Sequence, residues 1–550
     1  MEGKKIVLAA SRSESSEYLN STWRQMLLAT LPAKYLRMVQ ADTHLEGQTR
    51  PDGQALCVPN GVRVIESLLL EHFPADEIAV CHPDQLERFV GDATRVVGLH
   101  AHNPLGITFA TGIYAHFFGK DQLPVNAEEF QRMIEHPALA RHRRHFKLLV
   151  GGPGAWQLER QHRLDAWHVD CLVDGEAEDI AVDLFERAAR GEDLPRKVMG
   201  HSPAAGHIPR IRHRSTFGVV EITRGCGRGC QFCSIALRHG TSLPLEHILD
   251  NVRVQVGEGA DSILITTEDL FLYEQGPRFQ TNVAALERLL NAIAGVPGVK
   301  HVVVSHGTMA PVVRDPEVIE RLSPVAVGKS IHQHKRSQHP DHRFAMLFIG
   351  LETGSPRLFE QFMKGKSYPY KPEQWPEVVL KGMEILNKHS WFPFCTWILG
   401  LPGETREDTK QSLDLLYALK DARWCPVPTL FVPLEDTRLG QKAAARAPEL
   451  TDLQWEFFFT CWRYNLDFFR NTPAVQWKFH LGIPLYYYSI GRRTFGKNIK
   501  YPLFRLGHFP ERWMRRHLYL GFDRAQAPRY SIPEEIKVPE RASRPSLPEA

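Results

Sequence analysis

Three of the chain's nine cysteines fall within eight residues, in TRGCGRGCQFC, Thr223 to Cys233. Cys226, Cys230 and Cys233 have the spacing C-x3-C-x2-C, which sets three thiolates on one short loop directly after a strand-like segment. Three close ligands bind a metal centre and leave a coordination position free. A structural zinc site closes all four positions, and zinc ribbons use paired C-x2-C knuckles that this chain lacks. A thiol redox couple needs two cysteines and leaves the third idle. An iron-sulfur cluster with one open iron fits better, because a cuboidal cluster takes four ligands and the last can come from substrate or cofactor. Gly225, Gly227 and Gly229 let the loop wrap such a centre with little steric cost.

Such a loop must be carried by regular elements. FGVVEITRG leads into it, and SILITT, HVVVSHG, AMLFIGLETG, FPFCTWILGLPGE and PTLFVPL follow as strand-like runs. Helical patterns such as LEHILDNVRVQVGEG, NVAALERLLNAIAG and EQWPEVVLKGMEILNKH separate them. Six strands whose ends carry polar or glycine residues predict a partial (β/α)6 barrel over residues 206–445, with its active site at that face. Residues 1–205 alternate in the same way, with strands expected near Lys5, Ile78, Val97, Leu148 and Leu172. A Rossmann-like, doubly wound parallel sheet is the packing that suits them, so the fold class is α/β. Ser11, His100, His102 and Gly151 to Gly154 then share one rim, where glycines let backbone approach a ligand closely. Asp193 to Ser215 reads as a connector. Residues 446–550 read as a mainly helical, aromatic-rich region covering the active site and ending in a proline-rich tail.

Composition narrows the function classes. A length of 550 residues predicts two or three domains, and 43% hydrophobic with 24% charged residues is ordinary for a globular protein. A net charge of +4 argues against a dedicated nucleic-acid binder. The apolar run Ile6 to Ala10 is too short for a signal-peptide core, and no run approaches the roughly 18 apolar residues of a spanning helix. Few cysteines in a long chain fit a reducing compartment, so a cytoplasmic protein is expected.

C-x3-C-x2-C with Phe232 just before the last cysteine resembles the signature of the radical S-adenosylmethionine superfamily. The resemblance implies that Cys226, Cys230 and Cys233 hold a 4Fe-4S cluster whose open iron chelates the methionine end of S-adenosyl-L-methionine. It implies reductive cleavage to a 5'-deoxyadenosyl radical that abstracts hydrogen, fed by an external electron donor of flavodoxin or ferredoxin type. TTEDLF, Thr266 to Phe271, is similar to the segment contacting the methionine amino group, with Glu268 and Asp269 as candidates. Ser305 and His306 end the third strand; GLETGSPRL with Glu352, and MKGK, Met363 to Lys366, resemble the fourth-strand segment; Leu399 to Thr409 resembles the fifth. Phe232, Glu268, Ser305 and Glu352 are thus the implied cofactor-binding residues. The amino-terminal domain, with VGGPGA and VDGEAE, is similar to the cobalamin-binding-like domain of the class B branch, which makes cobalamin a candidate third cofactor. The slot directly after the first strand, where the D-x-H-x-x-G motif for a histidine on cobalt is usual, reads ASRSESS; that spacing is found further along, in DTHLEG, Asp42 to Gly47.

The implied outcome is cobalamin-dependent methylation or carbon-carbon bond formation. Tetrapyrrole oxidative cyclisation and methylthiolation are the enzymatic alternatives. Methylthiolation wants a further cysteine set that Cys57, Cys81, Cys171, Cys395, Cys425 and Cys461 do not obviously supply. An iron-sulfur redox sensor or scaffold is the non-enzymatic alternative. Aromatics from Trp455 to Phe469 suit helix core, while Tyr486 to Tyr488, Arg492, Arg493, Lys497, Lys500, Arg512, Trp513, Arg515 and Arg516 pair cations with aromatics. That pairing tilts the expectation toward a lipid-like or other small hydrophobic substrate and peripheral membrane contact.

Overall fold

A computed structural model describes residues 2–17, 32–33, 47–108, 111, 123–434, 437–472 and 534–538. The cation–aromatic series from Tyr486 to Arg516 lies outside them. By contact density the chain divides into two units: Met1–Ile222 with Leu243–Ile265 and Gly295–Lys300, and Thr223–Ser242 with Thr266–Ala294 and His301–Ala550.

The first unit is built on a six-stranded parallel sheet in the order β2-β1-β3-β4-β5-β6. Its strands are β1 (Ile6–Ala9), β2 (Ile78–Cys81), β3 (Val96–His100), β4 (Lys147–Gly151), β5 (Cys171–Asp174) and β6 (Lys197–Met199). Strands β1 and β2 are fully buried, as a parallel sheet covered on both faces requires. Two separate apolar clusters, one around Phe130 and Leu158 and one around Leu69 and Phe185, lie on the sheet's two faces. Five strands fall where the sequence put them. The sixth lies inside the stretch read as a connector: KVM is too short to show period-two alternation, and its pairing with β5 creates the strand.

An acidic residue ties the end of this unit together. Glu258, beyond the helix Leu245–Gly257, accepts from His213 Nδ1 at 2.8 Å, the Arg214 N–H at 2.6 Å and Arg50 at 3.2 Å. Burial opposes its ionisation, but His213, the Arg214 N–H and Arg50 outweigh it and hold the carboxyl at about 2. A depressed folded pKa means that this stability is complete above the ordinary value of 4.5 and is lost as pH falls from there toward 2. Glu258→Gln should therefore flatten the fall in unfolding free energy across that window, read by denaturant titration at several acid pH values.

In the second unit, Phe348–Glu352, Phe394–Leu399 and Cys425–Leu430 form a parallel sheet, with the short strand His306–Gly307 at its edge. In chain order, counting Val219–Glu221 and Ser262–Thr266, which fall in the first unit except for Thr266, and His301–Val304, there are six strands alternating with helices. The helix Asp452–Arg470 starts from a capping box between Thr451 and Gln454 and packs against Cys425–Leu430. Its Trp455, Phe457, Phe458, Phe459, Phe468 and Phe469 are buried, as expected of helix core. Among the described residues no helix is long and apolar enough to cross a membrane.

Candidate functional site

The cysteine loop takes a shape that its glycines make available. Gly225, Gly227 and Gly229 have φ of +79°, +73° and +76°, and a Cβ on Gly225 would stand 2.4 Å from the His239 carbonyl oxygen. The loop is pinned by backbone bonds from Cys226 to Arg238, Gly229 to Ala236 and Gln231 to Phe362. The Gln231 side chain also donates to the Gln361 carbonyl at 2.7 Å, so the end of the helix Pro356–Met363 grips the loop.

Each thiol feels the charge of its neighbours. Among the described residues, only Asp92, His142 and His145 bring three ligand atoms within 4.8 Å of one another. The three cysteines are near but do not converge on a point. One zinc ion needs convergence; thiolates bound to separate irons of a cuboidal cluster do not. Burial pushes the Cys226 thiol to about 11 and the Cys230 thiol to about 12, so the bare loop is protonated at neutral pH. Replacing those protons takes the positive charge of a metal centre. Backbone N–H groups of Ala236 and Ile235 are aimed at the Cys233 sulfur, and that of Arg228 at the Cys226 sulfur.

Two buried ion pairs flank the loop. Arg228, between the first two cysteines, gives Asp269 Oδ2 two bonds of 2.8 and 3.1 Å, and Thr308 donates to the same oxygen at 2.8 Å. Both charged side chains are essentially inaccessible. The guanidinium lies 4.8 Å from the Phe279 ring centroid, and its Nη1 has no partner. Opposite the thiols, Lys366 Nζ meets Glu352 Oε1 at 2.7 Å, and Thr396 donates to Oε2 at 3.3 Å. Although burial pulls the ammonium down, Glu352 and the Cys230 sulfur hold the Lys366 pKa above its usual value. Glu352 sits at a bulge with φ +65°, a conformation rare outside glycine. A Cβ on Gly350 would fall 1.8 Å from its Oε1, so glycine is what lets the carboxylate lie there.

Of the residues read from sequence, Glu352 stands beside the cysteine loop and Phe232 is half-buried within it. Glu268 is half-buried, while its neighbour Asp269 holds Arg228. Ser305 is buried and bonded both ways to the Thr267 backbone. Glu404 accepts from the Gly400 N–H at 2.6 Å and from Thr409 at 2.7 Å, bracing the start of the helix Arg406–Ala418. Sequence reasoning missed the partners Arg228, Thr308 and Thr396, and passed over Lys366 as part of a motif.

In the first unit, Ser11, His100, His102 and the glycine loop do share a rim, at the switch point between β1 and β3. Glu14 accepts from His100 Nδ1 at 2.9 Å and from the His102 N–H at 2.9 Å. The glycines also serve a close approach within the protein. A Cβ on Gly154 would lie 2.0 Å from the His102 carbonyl, and one on Gly152 2.8 Å from that of Ala101. They let two strand-end loops pack on each other, while the His102 side chain remains exposed.

Fold and site together define a doubly wound α/β domain followed by a strand–helix series that bears a three-cysteine loop. Residues 220–416 match the family model described as the Radical SAM superfamily. A solved structure of the radical S-adenosylmethionine methyltransferase TsrM from Kitasatospora setae, with cobalamin and a 4Fe-4S cluster bound, has the same fold. The TM-score is 0.51 at 15% identity, covering 80% of this chain and 77% of that one. A tRNA-2-methylthio-N(6)-dimethylallyladenosine synthase of Moorella thermoacetica is 27% identical over 276 residues, 49% of this chain and 54% of that protein. The ribosomal protein uS12 methylthiotransferase RimO of Salmonella arizonae is 24% identical over 280 residues, 47% and 55% of the two chains. The chain thus spans about half the length of these curated relatives.

Proposed function

We propose that this protein is a radical S-adenosylmethionine enzyme that modifies an unactivated carbon of a small hydrophobic substrate, by cobalamin-dependent methylation or by carbon-carbon bond formation. The observation that carries the reading is the spread of three thiols, Cys230 buried and Cys226 and Cys233 half-buried, on a glycine-built loop, an arrangement suited to a 4Fe-4S cluster and unsuited to a single ion. Bound there, the cluster and S-adenosylmethionine supply the radical, and cobalamin the methyl group. Cys226, Cys230 and Cys233 would hold the cluster, and Glu352, fixed by Lys366 and Thr396, would orient the cofactor beside it. The unpaired Arg228 Nη1 is a donor in reserve at the same end. Cobalamin binding in the first unit is supported by the fold shared with TsrM and by the exposed His102 at the switch point.

Methylthiolation has the support of the curated relatives, but the chain's six other cysteines are all buried, and Cys81 and Cys171 lie on strands separated by three others in sheet order. Anaerobic reconstitution should load about four irons per chain, dithionite with S-adenosylmethionine should release 5'-deoxyadenosine, and protein made with cobalamin available should carry cobalt. Iron without cofactor cleavage would favour a sensor, and absence of cobalt would remove the methylcobalamin route.

A further inference from the structure

The sheet of the second unit has two unlike faces. On one, Gly307, Ile349, Leu351, Cys395, Trp397, Leu399, Pro426 and Leu430 are all buried, sealed against the rest of the unit. On the other, strand register aligns His306 with Phe348, and Gly350 with Thr396 and Val427. His306 is exposed there, and Phe348, Gly350, Thr396, Ile398 and Val427 are only half-buried. A packed barrel interior would have closed both faces. This face is covered at Phe394, Cys425 and Thr429 and left partly open from His306 and Phe348 to Val427.

His306 is the exposed imidazole of that partly open stretch. Its imidazole is exposed to solvent yet crowded by protein, and the crowding lowers its proton affinity, with Lys366 adding to the effect and Asp269 opposing it. Both charged neighbours are committed elsewhere, Asp269 to Arg228 and Lys366 to Glu352. A neutral imidazole presents one of its two ring nitrogens as a hydrogen-bond acceptor. Phe348 lies alongside, ring centroids 5.4 Å apart and planes at 33°.

We propose that His306 seats the substrate, and that the substrate is an uncharged, planar, largely apolar molecule with a hydroxyl or ring N–H that donates to this imidazole while its flat face lies against Phe348. This rests on the reading of the second unit as the substrate-binding part of a radical enzyme. The test uses the full chain and two probes that differ only in the donor, 2-naphthol and its methyl ether, titrated by tryptophan fluorescence. Wild-type protein should bind 2-naphthol about 5- to 10-fold more tightly than the ether. His306→Leu should abolish that ratio while holding the ether, and His306→Gln, which keeps an acceptor, should retain most of it. Equal binding of the two probes by wild type, a ratio that survives in His306→Leu, or its loss in His306→Gln would overturn the assignment. Iron content of the same preparations reports on the cluster separately. Protein that loads iron without discriminating the probes defeats only this inference; protein that discriminates without loading iron defeats only the functional reading.

Discussion

Cys230→Ala protein, reconstituted anaerobically beside wild type, should retain less than about one iron per chain where wild type holds about four. It should also release no 5'-deoxyadenosine from S-adenosylmethionine and dithionite. Cys230 is the most buried of the three thiols, and its pKa is pushed to about 12 by burial, so alanine leaves no group able to replace a thiolate. Two remaining cysteines cannot fix a cuboidal cluster, because each holds a different iron. Cys395→Ala is the matched control: that thiol is also fully buried and close to Glu352, but it lies on the strand Phe394–Leu399 and not on the loop. It should lose some stability to the small cavity, roughly 1 kcal/mol, and keep its iron. Iron assay and cluster absorbance decide. Equal iron in wild type and Cys230→Ala would sink the assignment of the loop.

The loop could be read from sequence because its chemistry is local. Three thiols and three glycines within nine residues carry both the ligands and the backbone freedom that the fold uses. The alternation of strands and helices was equally legible, since parallel strands buried on both faces read as short apolar runs. What sequence could not supply were the partners. Lys366 lies 14 residues from Glu352 and Asp269 lies 41 from Arg228, and nothing in either segment marks the pairing. Glu268 and Asp269 are adjacent acids of one motif; only burial separates them, and it selects Asp269 for Arg228. His306 read as an ordinary polar strand end, because an unsealed sheet face has no sequence signature. Gly152 and Gly154 are ambiguous for the opposite reason: glycine reports a close approach without saying whether a ligand or another loop makes it, and here at least another loop does.

The pair Lys366–Glu352 should have the largest effect on stability. Both side chains are about nine-tenths buried, so the carboxylate depends on the ammonium for nearly all of its compensation. Lys366→Met retains most of the stem and removes the charge, leaving Glu352 buried, unpaired and held at a left-handed backbone position. Breaking a buried pair in this way costs about 3–5 kcal/mol. The double variant Lys366→Met with Glu352→Gln should recover much of that loss, because an amide needs no counter-ion and Thr396 can still donate to its oxygen. Urea titrations of wild type, both single variants and the double variant close a cycle whose coupling should be favourable by more than about 1.5 kcal/mol. A midpoint for Lys366→Met equal to that of wild type would mean that Glu352 is neutral or solvated, and therefore not a charge held in place for a cofactor. If the single variant is destabilised and the double is rescued while both still load iron, the pair is separate from cluster assembly. Its geometry, a glutamate in a left-handed conformation over a glycine beside the thiols, then has orientation of the bound cofactor as its remaining use.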